Sequence, residues 1–205
     1  MNFLVTVIIP VFNAEKFLAT AINSVLVLEE VGELILIDDG SKDSSFSIME
    51  KFADEDNRVK IYYHENKSNR GRAFSRNVGI LNATNEYIAF LDADDVWDVD
   101  HLETLNQLIL AYPQNGAYAT AYRNNIEGAT HNIILKKIPF KEETGVLFNY
   151  FEVCSCSHPP VWSSSVCIAK NILCSVGGFP VEVKSGEDLL TWARIAVKTD
   201  WAYSI

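Results

Sequence analysis

Tyr87-Ile88-Ala89-Phe90-Leu91-Asp92-Ala93-Asp94-Asp95 decides how the rest of the chain is read. An apolar run that breaks abruptly into carboxylates is the pattern of a buried strand with acids at its carboxyl end. Tyr87–Leu91 is therefore read as a strand, and the spacing on both sides of it is helical. Downstream, Leu102, Leu105, Ile109 and Tyr112 form a stripe behind Asp100 and Glu103, a pair resembling a capping box. Upstream, Gly71 to Leu81 reads as helix, preceded by a strand from Val59 to Tyr63 and a helix reaching about Ala53. A strand from Glu33 to Ile37 ends in the turn Asp38-Asp39-Gly40-Ser41. Near the start, Leu4 to Pro10 is a buried strand. Asn13 is positioned to cap a helix whose apolar face carries Phe17, Ala21 and Val25 with Leu18, Ile22 and Leu26. This β-α alternation predicts an α/β fold, a doubly wound and mainly parallel sheet with helices on both faces.

Beyond residue 115 the rhythm is lost. Tyr118 to Arg123, Ile133 to Lys137 and Val161 to Ala169 read as strands, Gly145 to Phe151 as a short helix, and Glu187 to Val197 as a longer one. With no repeat, linker or low-complexity segment, residues 1–205 are read as a single domain whose smaller second half is mixed β/α. A hydrophobic content of 48% supports a packed core, and a net charge of −10 argues against nucleic acid as a partner. The N-terminus lacks the basic segment of a signal peptide, and no apolar run approaches the roughly 18 residues of a membrane span. Cysteines at 154, 156, 167 and 174 read as reduced thiols, hence a cytoplasmic protein.

Ligands of parallel α/β sheets bind beyond the carboxyl ends of strands, near switch points in the topology. Acids gather at two such ends, Asp38-Asp39 and Asp92-Ala93-Asp94-Asp95. Asp92 and Asp94, two apart on extended chain, point the same way. Close carboxylates repel unless a cation lies between them, and hard oxygen ligands suit Mg²⁺ or Mn²⁺ with phosphate and water completing the shell. Turn formation is the plainer role of strand-end acids and is assigned to Asp95, Asp98 and Asp100. Gly186-Glu187-Asp188 opens a helix. There a carboxylate serves either the helix dipole or, held beside a hydroxyl, a proton transfer.

Together these segments resemble the family-2, inverting GT-A glycosyltransferases. The resemblance lies in Val7-Ile8-Ile9-Pro10-Val11-Phe12-Asn13-Ala14-Glu15, Ile37 to Ser41 with Asp43, and Gly71 through Ser75-Arg76-Asn77-Val78-Gly79-Ile80. It continues in Phe90 to Asp95, Gly177-Gly178-Phe179, and Gly186-Glu187-Asp188 with Trp192. It implies a GT-A fold, with residues 1–115 binding a nucleotide-sugar and residues 116–205 binding the acceptor. It further implies donor contacts from Pro10, Val11, Glu15, Asp39, Arg76 and Asp92, a metal ligand in Asp94, and a catalytic base in Asp188. Glu187 and Trp192 become acceptor-side candidates. The implied reaction moves a sugar from a nucleoside diphosphate donor, by default UDP, to a glycan or lipid-linked acceptor with inversion. Related enzymes usually continue past this point, so a C-terminally truncated protein with peripheral membrane contact through the missing part, at the inner face, is expected.

Other features are read more plainly. Cys154-Ser155-Cys156-Ser157-His158 lacks a second ligand pair for zinc. His101 and His131 read as surface residues. Lys67, Arg70 and Arg72 suit either a diphosphate or a solvated loop, and Trp162 either a sugar or the core. A sugar-phosphate nucleotidyltransferase would carry a glycine-rich basic loop where Val11 to Glu15 stands. A non-catalytic carbohydrate- or nucleotide-binding scaffold would need no Asp188.

Overall fold

The computed structural model describes residues 3–126 and 128–205. In the first part β1 (Val5–Val11), β2 (Val31–Asp38), β3 (Val59–Tyr63) and β4 (Tyr87–Phe90) alternate with α1 (Leu18–Leu26), α2 (Ser45–Glu55) and α3 (Arg72–Asn82), and α4 (His101–Ala111) follows. The second part contains β5 (Ala117–Thr120), a hairpin of β6 (Arg123–Ile126) and β7 (Ala129–Asn132), β8 (Thr144–Leu147), α5 (Tyr150–Cys156), β9 (Val166–Ala169), α6 (Lys170–Ser175), α7 (Glu187–Lys198) and β10 (Trp201–Ser204).

Among the described residues, eight strands form one sheet in the order β3-β2-β1-β4-β9-β5-β10-β8. The four strands of the first part pair in parallel; β9 runs against both β4 and β5, and β10 is parallel to β5 and antiparallel to β8. The side-chain period of two decides what each face buries. Val5, Val7, Ile9 and Val11 join the α1 and α4 residues Leu18, Ile22, Leu102 and Leu105 in one core. Ile8, Ile35, Ile37 and Phe90 join Ile80 of α3 and Trp192 and Ile195 of α7 in the other. Each fully buried aliphatic side chain contributes roughly 1.5–3 kcal/mol. Helix α3 lies close against β1, since a Cβ on Gly79 would come within 2.6 Å of the Ile8 side chain.

Several expectations are corrected. Asn13 does not cap α1; it takes a left-handed φ of 50°, and its side-chain oxygen accepts the Lys42 amide at 2.8 Å, tying the loop after β1 to the one after β2. Asp100 precedes α4 without a side-chain cap bond. Gly145 to Phe151 begins as strand β8, because β10 offers antiparallel partners and glycine is unfavourable inside helices. Residues 133–137 form no strand; Leu135 packs on the core, and Lys137 has φ of 60°. Strand β9 begins only at Val166, behind a 3-10 turn at Ser163–Ser165.

Candidate active site

The chain builds β1, β2 and β3 outward in one direction, then returns to place β4 on the opposite flank of β1. The loop after β1 therefore lies at a switch point, and a cleft of about 460 Å³ opens there. Pro10 and Val11 of β1, the loop residues Phe12, Asn13, Ala14 and Phe17, and Asp39 line one side. Asn69, Gly71 and Arg72 ahead of α3, Asp92, Ala93 and Asp94 after β4, and Lys184 complete it.

Asp39 is buried and heavily engaged. Its carboxylate accepts the Arg70 amide at 2.6 Å and the Gly71 amide at 3.0 Å, and the His64 ring nitrogen Nε2 stands 3.3 Å away. The same His64 nitrogen is 2.9 Å from the Ser75 hydroxyl. Burial holds the His64 pKa below its usual value, with Asp39 opposing. Asp39 thus shapes the loop that leads into α3 while still facing the cleft.

The acids after β4 divide. Asp92 Oδ1 accepts from Arg76 at 2.7 Å, and the other terminal nitrogen of that guanidinium reaches Glu187 at 3.2 Å. Arg76 is fully buried, so it bridges the donor-side turn and the first residue of α7 without lining the cleft. Asp94 is exposed at the cleft, and among the described residues its carboxylate has no hydrogen-bond or salt-bridge partner. Asp95 accepts the Ser164 hydroxyl at 2.6 Å, and the Ser164 oxygen in turn accepts the Asp92 amide at 3.0 Å. Burial, reinforced by Asp92 and Asp94, raises the Asp95 pKa against that hydrogen bond.

Asp188 stands half-buried in the first turn of α7. Its Oδ1 accepts the Leu189 amide at 2.8 Å and its Oδ2 the Ser163 hydroxyl at 3.2 Å. Asn77 of α3 clasps Phe179 through a pair of bonds, Nδ2 donating to its carbonyl at 2.7 Å and Oδ1 accepting its amide at 2.8 Å. A Cβ on Gly178 would meet that Asn77 oxygen at 2.5 Å, so the turn ahead of α7 requires glycine there.

The structure gathers Pro10, Val11, Asp39, Asp92 and Asp94 around the cleft. Glu15 is a correction: its carboxylate accepts the Ser44 amide at 2.9 Å and its own amide binds Asp43, so it ties the β1 loop to the start of α2. Trp192 is another, being wholly buried against Phe90, Phe179 and Trp201 and unable to meet an acceptor. Glu187 is buried as well, paired with Arg76 and 3.6 Å from Arg72. Arg70 lays its guanidinium on Phe74, Arg72 lines the cleft, and the Lys67 side chain lies outside the described residues. His131 is exposed, whereas His101 is largely covered and stacks on Trp97 at 4.6 Å.

Lys184, Ser163 and Ser164 carried no signal of their own in the sequence. Their surroundings come from contacts with residues far along the chain.

Among the described residues no three His, Cys, Asp or Glu side chains are grouped closely enough to enclose a metal. The open Asp94 carboxylate beside Asp92 is a hard-oxygen donor set that would share Mg²⁺ or Mn²⁺ with phosphate and water.

The description "Glycosyl transferase family 2" belongs to the family model that matches residues 6–159. An uncharacterized glycosyltransferase of Rickettsia felis is 34% identical over 197 residues, 95% of this chain and 30% of the relative. Glycosyltransferase GlyG of Streptococcus pneumoniae is 38% identical over 111 residues, 53% of this chain and 36% of GlyG. The chain thus spans about a third of the length of these curated relatives. Staphylococcus aureus TarS 1-349 in complex with UDP superposes with a TM-score of 0.78 at 22% identity, covering 98% of this chain and 57% of that one. The mannosyltransferase PcManGT from Pyrobaculum calidifontis, in complex with GDP-Man and Mn²⁺, gives a TM-score of 0.70 at 19% identity, covering 98% and 56%. These likenesses establish the GT-A fold. With the family model matching most of its length, this chain belongs to glycosyl transferase family 2.

Proposed function

We propose that this chain is the catalytic part of an inverting glycosyltransferase. It moves a sugar from a nucleoside diphosphate donor, by preference a UDP-sugar, to a hydroxyl of a growing polysaccharide or lipid-linked glycan. One observation carries the reading: Asp39, Asp92 and Asp94 open onto a single cleft that also receives the cations Arg72 and Lys184. That GlyG is a glycosyltransferase and that TarS was solved with UDP supports the choice of donor class.

In this reading Pro10 and Val11 flank the base, and Asp39, an acceptor only, takes its ring N–H. Asp92, held by Arg76, orients the ribose and diphosphate. Asp94 with Asp92 would hold Mn²⁺ or Mg²⁺, which supplies positive charge to the departing diphosphate. Arg72 and Lys184 face the same phosphates. Asp188 takes the proton of the acceptor hydroxyl while its oxygen forms a bond to the anomeric carbon. The bond from that carbon to the diphosphate breaks on the opposite face, and the nucleoside diphosphate leaves. Arg76 is a positioning residue, since it acts through Asp92 and Glu187.

The reaction belongs in the cytoplasm, at the inner face of the membrane where lipid-linked acceptors are available. The unpaired cysteines at 154, 156, 167 and 174 support a reducing compartment. Among the described residues no helix is long and apolar enough to cross a membrane.

Calorimetric titration with UDP, with and without Mn²⁺, tests the reading. Binding that strengthens at least tenfold with the metal is expected. An absence of UDP binding under both conditions, or binding indifferent to Mn²⁺, overturns it.

A further inference from the structure

Trp162 departs from the other tryptophans of the chain. Trp97, Trp192 and Trp201 are buried, whereas Trp162 keeps 37% of its surface exposed. It is nonetheless held in place. The Tyr122 ring lies 5.7 Å away at an interplanar angle of 31°, and the Tyr122 hydroxyl donates to the Pro159 carbonyl at 3.0 Å. The Trp162 amide donates to the Ser165 hydroxyl at 3.1 Å, and that hydroxyl donates back to the Trp162 carbonyl at 3.0 Å. A large aromatic ring fixed in posture loses little conformational entropy when it takes up a ligand.

The next two residues give this ring its meaning. Ser163 is fully buried and donates to the Asp188 carboxylate at 3.2 Å. Ser164 donates to Asp95 and accepts from the Asp92 amide. Three consecutive residues thus present an exposed indole, a contact to the acid at the start of α7, and a contact to the acids after β4. The segment spaces an apolar platform from two carboxylate sites, and its own hydrogen bonds hold that spacing.

We propose that the acceptor is a pyranose, whose C–H face stacks on Trp162 while one of its hydroxyls is presented to Asp188. This rests on the transferase reading above. A pyranose matches the surroundings because it combines a flat apolar face with a rim of hydroxyls. The indole takes the face, while the Asp188 carboxylate, steadied by Ser163, takes a hydroxyl proton. Tyr122 backs the platform and sets the tilt of the indole.

The test uses the indole N–H signals of ¹⁵N-labelled protein, saturated with UDP and Mn²⁺ and titrated with methyl pyranosides of glucose, galactose and N-acetylglucosamine, with glycerol and n-butanol as controls. The Trp162 signal, assigned through Trp162→Phe, is expected to shift with at least one pyranoside and with neither control. The buried indoles report whether each variant is folded. Trp162→Ala is expected to weaken that pyranoside by about tenfold, and Trp162→Phe, which keeps an aromatic face, by less. If UDP binds and the Trp162 signal ignores every pyranoside, or answers glycerol equally, the platform is overturned and the donor reading stands. If UDP itself fails to bind, the transferase reading falls and the platform with it.

Discussion

The two acidic strand ends are built in opposite ways. After β2, Asp39 is enclosed and accepts two backbone amides, with a buried histidine beside it. After β4, Asp92 is anchored by Arg76 while Asp94 stands at the cleft with no partner among the described residues. The first end is a fixed surface against which something flat can rest. The second pairs a fixed acid with one that has no partner among the described residues, an arrangement that suits the ion and diphosphate proposed for the cleft. Identical side chains acquire different work from the partners the fold supplies.

The largest expected effect breaks the second end. Asp94→Asn is expected to lower turnover by about 10³-fold, several kcal/mol of lost charge stabilisation, and to remove the metal dependence of UDP binding. Asp188→Asn is expected to cost about 10²–10⁴-fold in turnover with UDP binding retained. Wild-type turnover in either variant, measured as nucleotide release, would refute the role given to that acid.

Next in size is the anchor. Arg76→Met removes the buried partner of Asp92 and Glu187 and leaves Glu187 only the exposed Arg72, which costs about 3 kcal/mol. For a chain of this size that lowers the melting temperature by roughly 10 °C. A shift of less than about 2 °C would mean that the bridge is not what holds the two acids.

The smallest effect separates the histidines near the two ends. His101, behind the β4 turn, has its pKa pushed down to about 4 by burial, and its Nε2 has no hydrogen-bond partner among the described residues. The unfolded imidazole takes a proton near pH 6.5 and the folded one only near 4, so stability falls as the pH drops through that interval. His101→Phe keeps the ring on Trp97. It is expected to change the melting temperature little at pH 7 and to flatten the fall between pH 6.5 and 4. His64, also held below its usual pKa by burial, contributes to the slope that remains. An unchanged slope in the variant would reject the assignment.

What the sequence determined by itself is the first part of the fold and the acids at its edge. Strands β1 and β2 are apolar-rich and buried along nearly their whole length, and the helices carry stripes at helical spacing, so the elements read from local pattern match the structure through α4. Tertiary structure decided much of the second part. Sequence marked a helix at α7 and strands at β5 and β9, but not that β8 and β10 are strands, nor that β9 runs antiparallel between β4 and β5 while β10 pairs with β5 and β8. The same holds within the site. Sequence marked Asp39, Asp92, Asp94 and Asp188 by their positions at element ends. It could not show that Glu15 turns away to α2, that Trp192 is sealed in the core, or that Ser163 and Ser164 join the two acidic regions. Those outcomes depend on contacts between residues far apart in the chain, and such contacts leave no periodic mark on either partner.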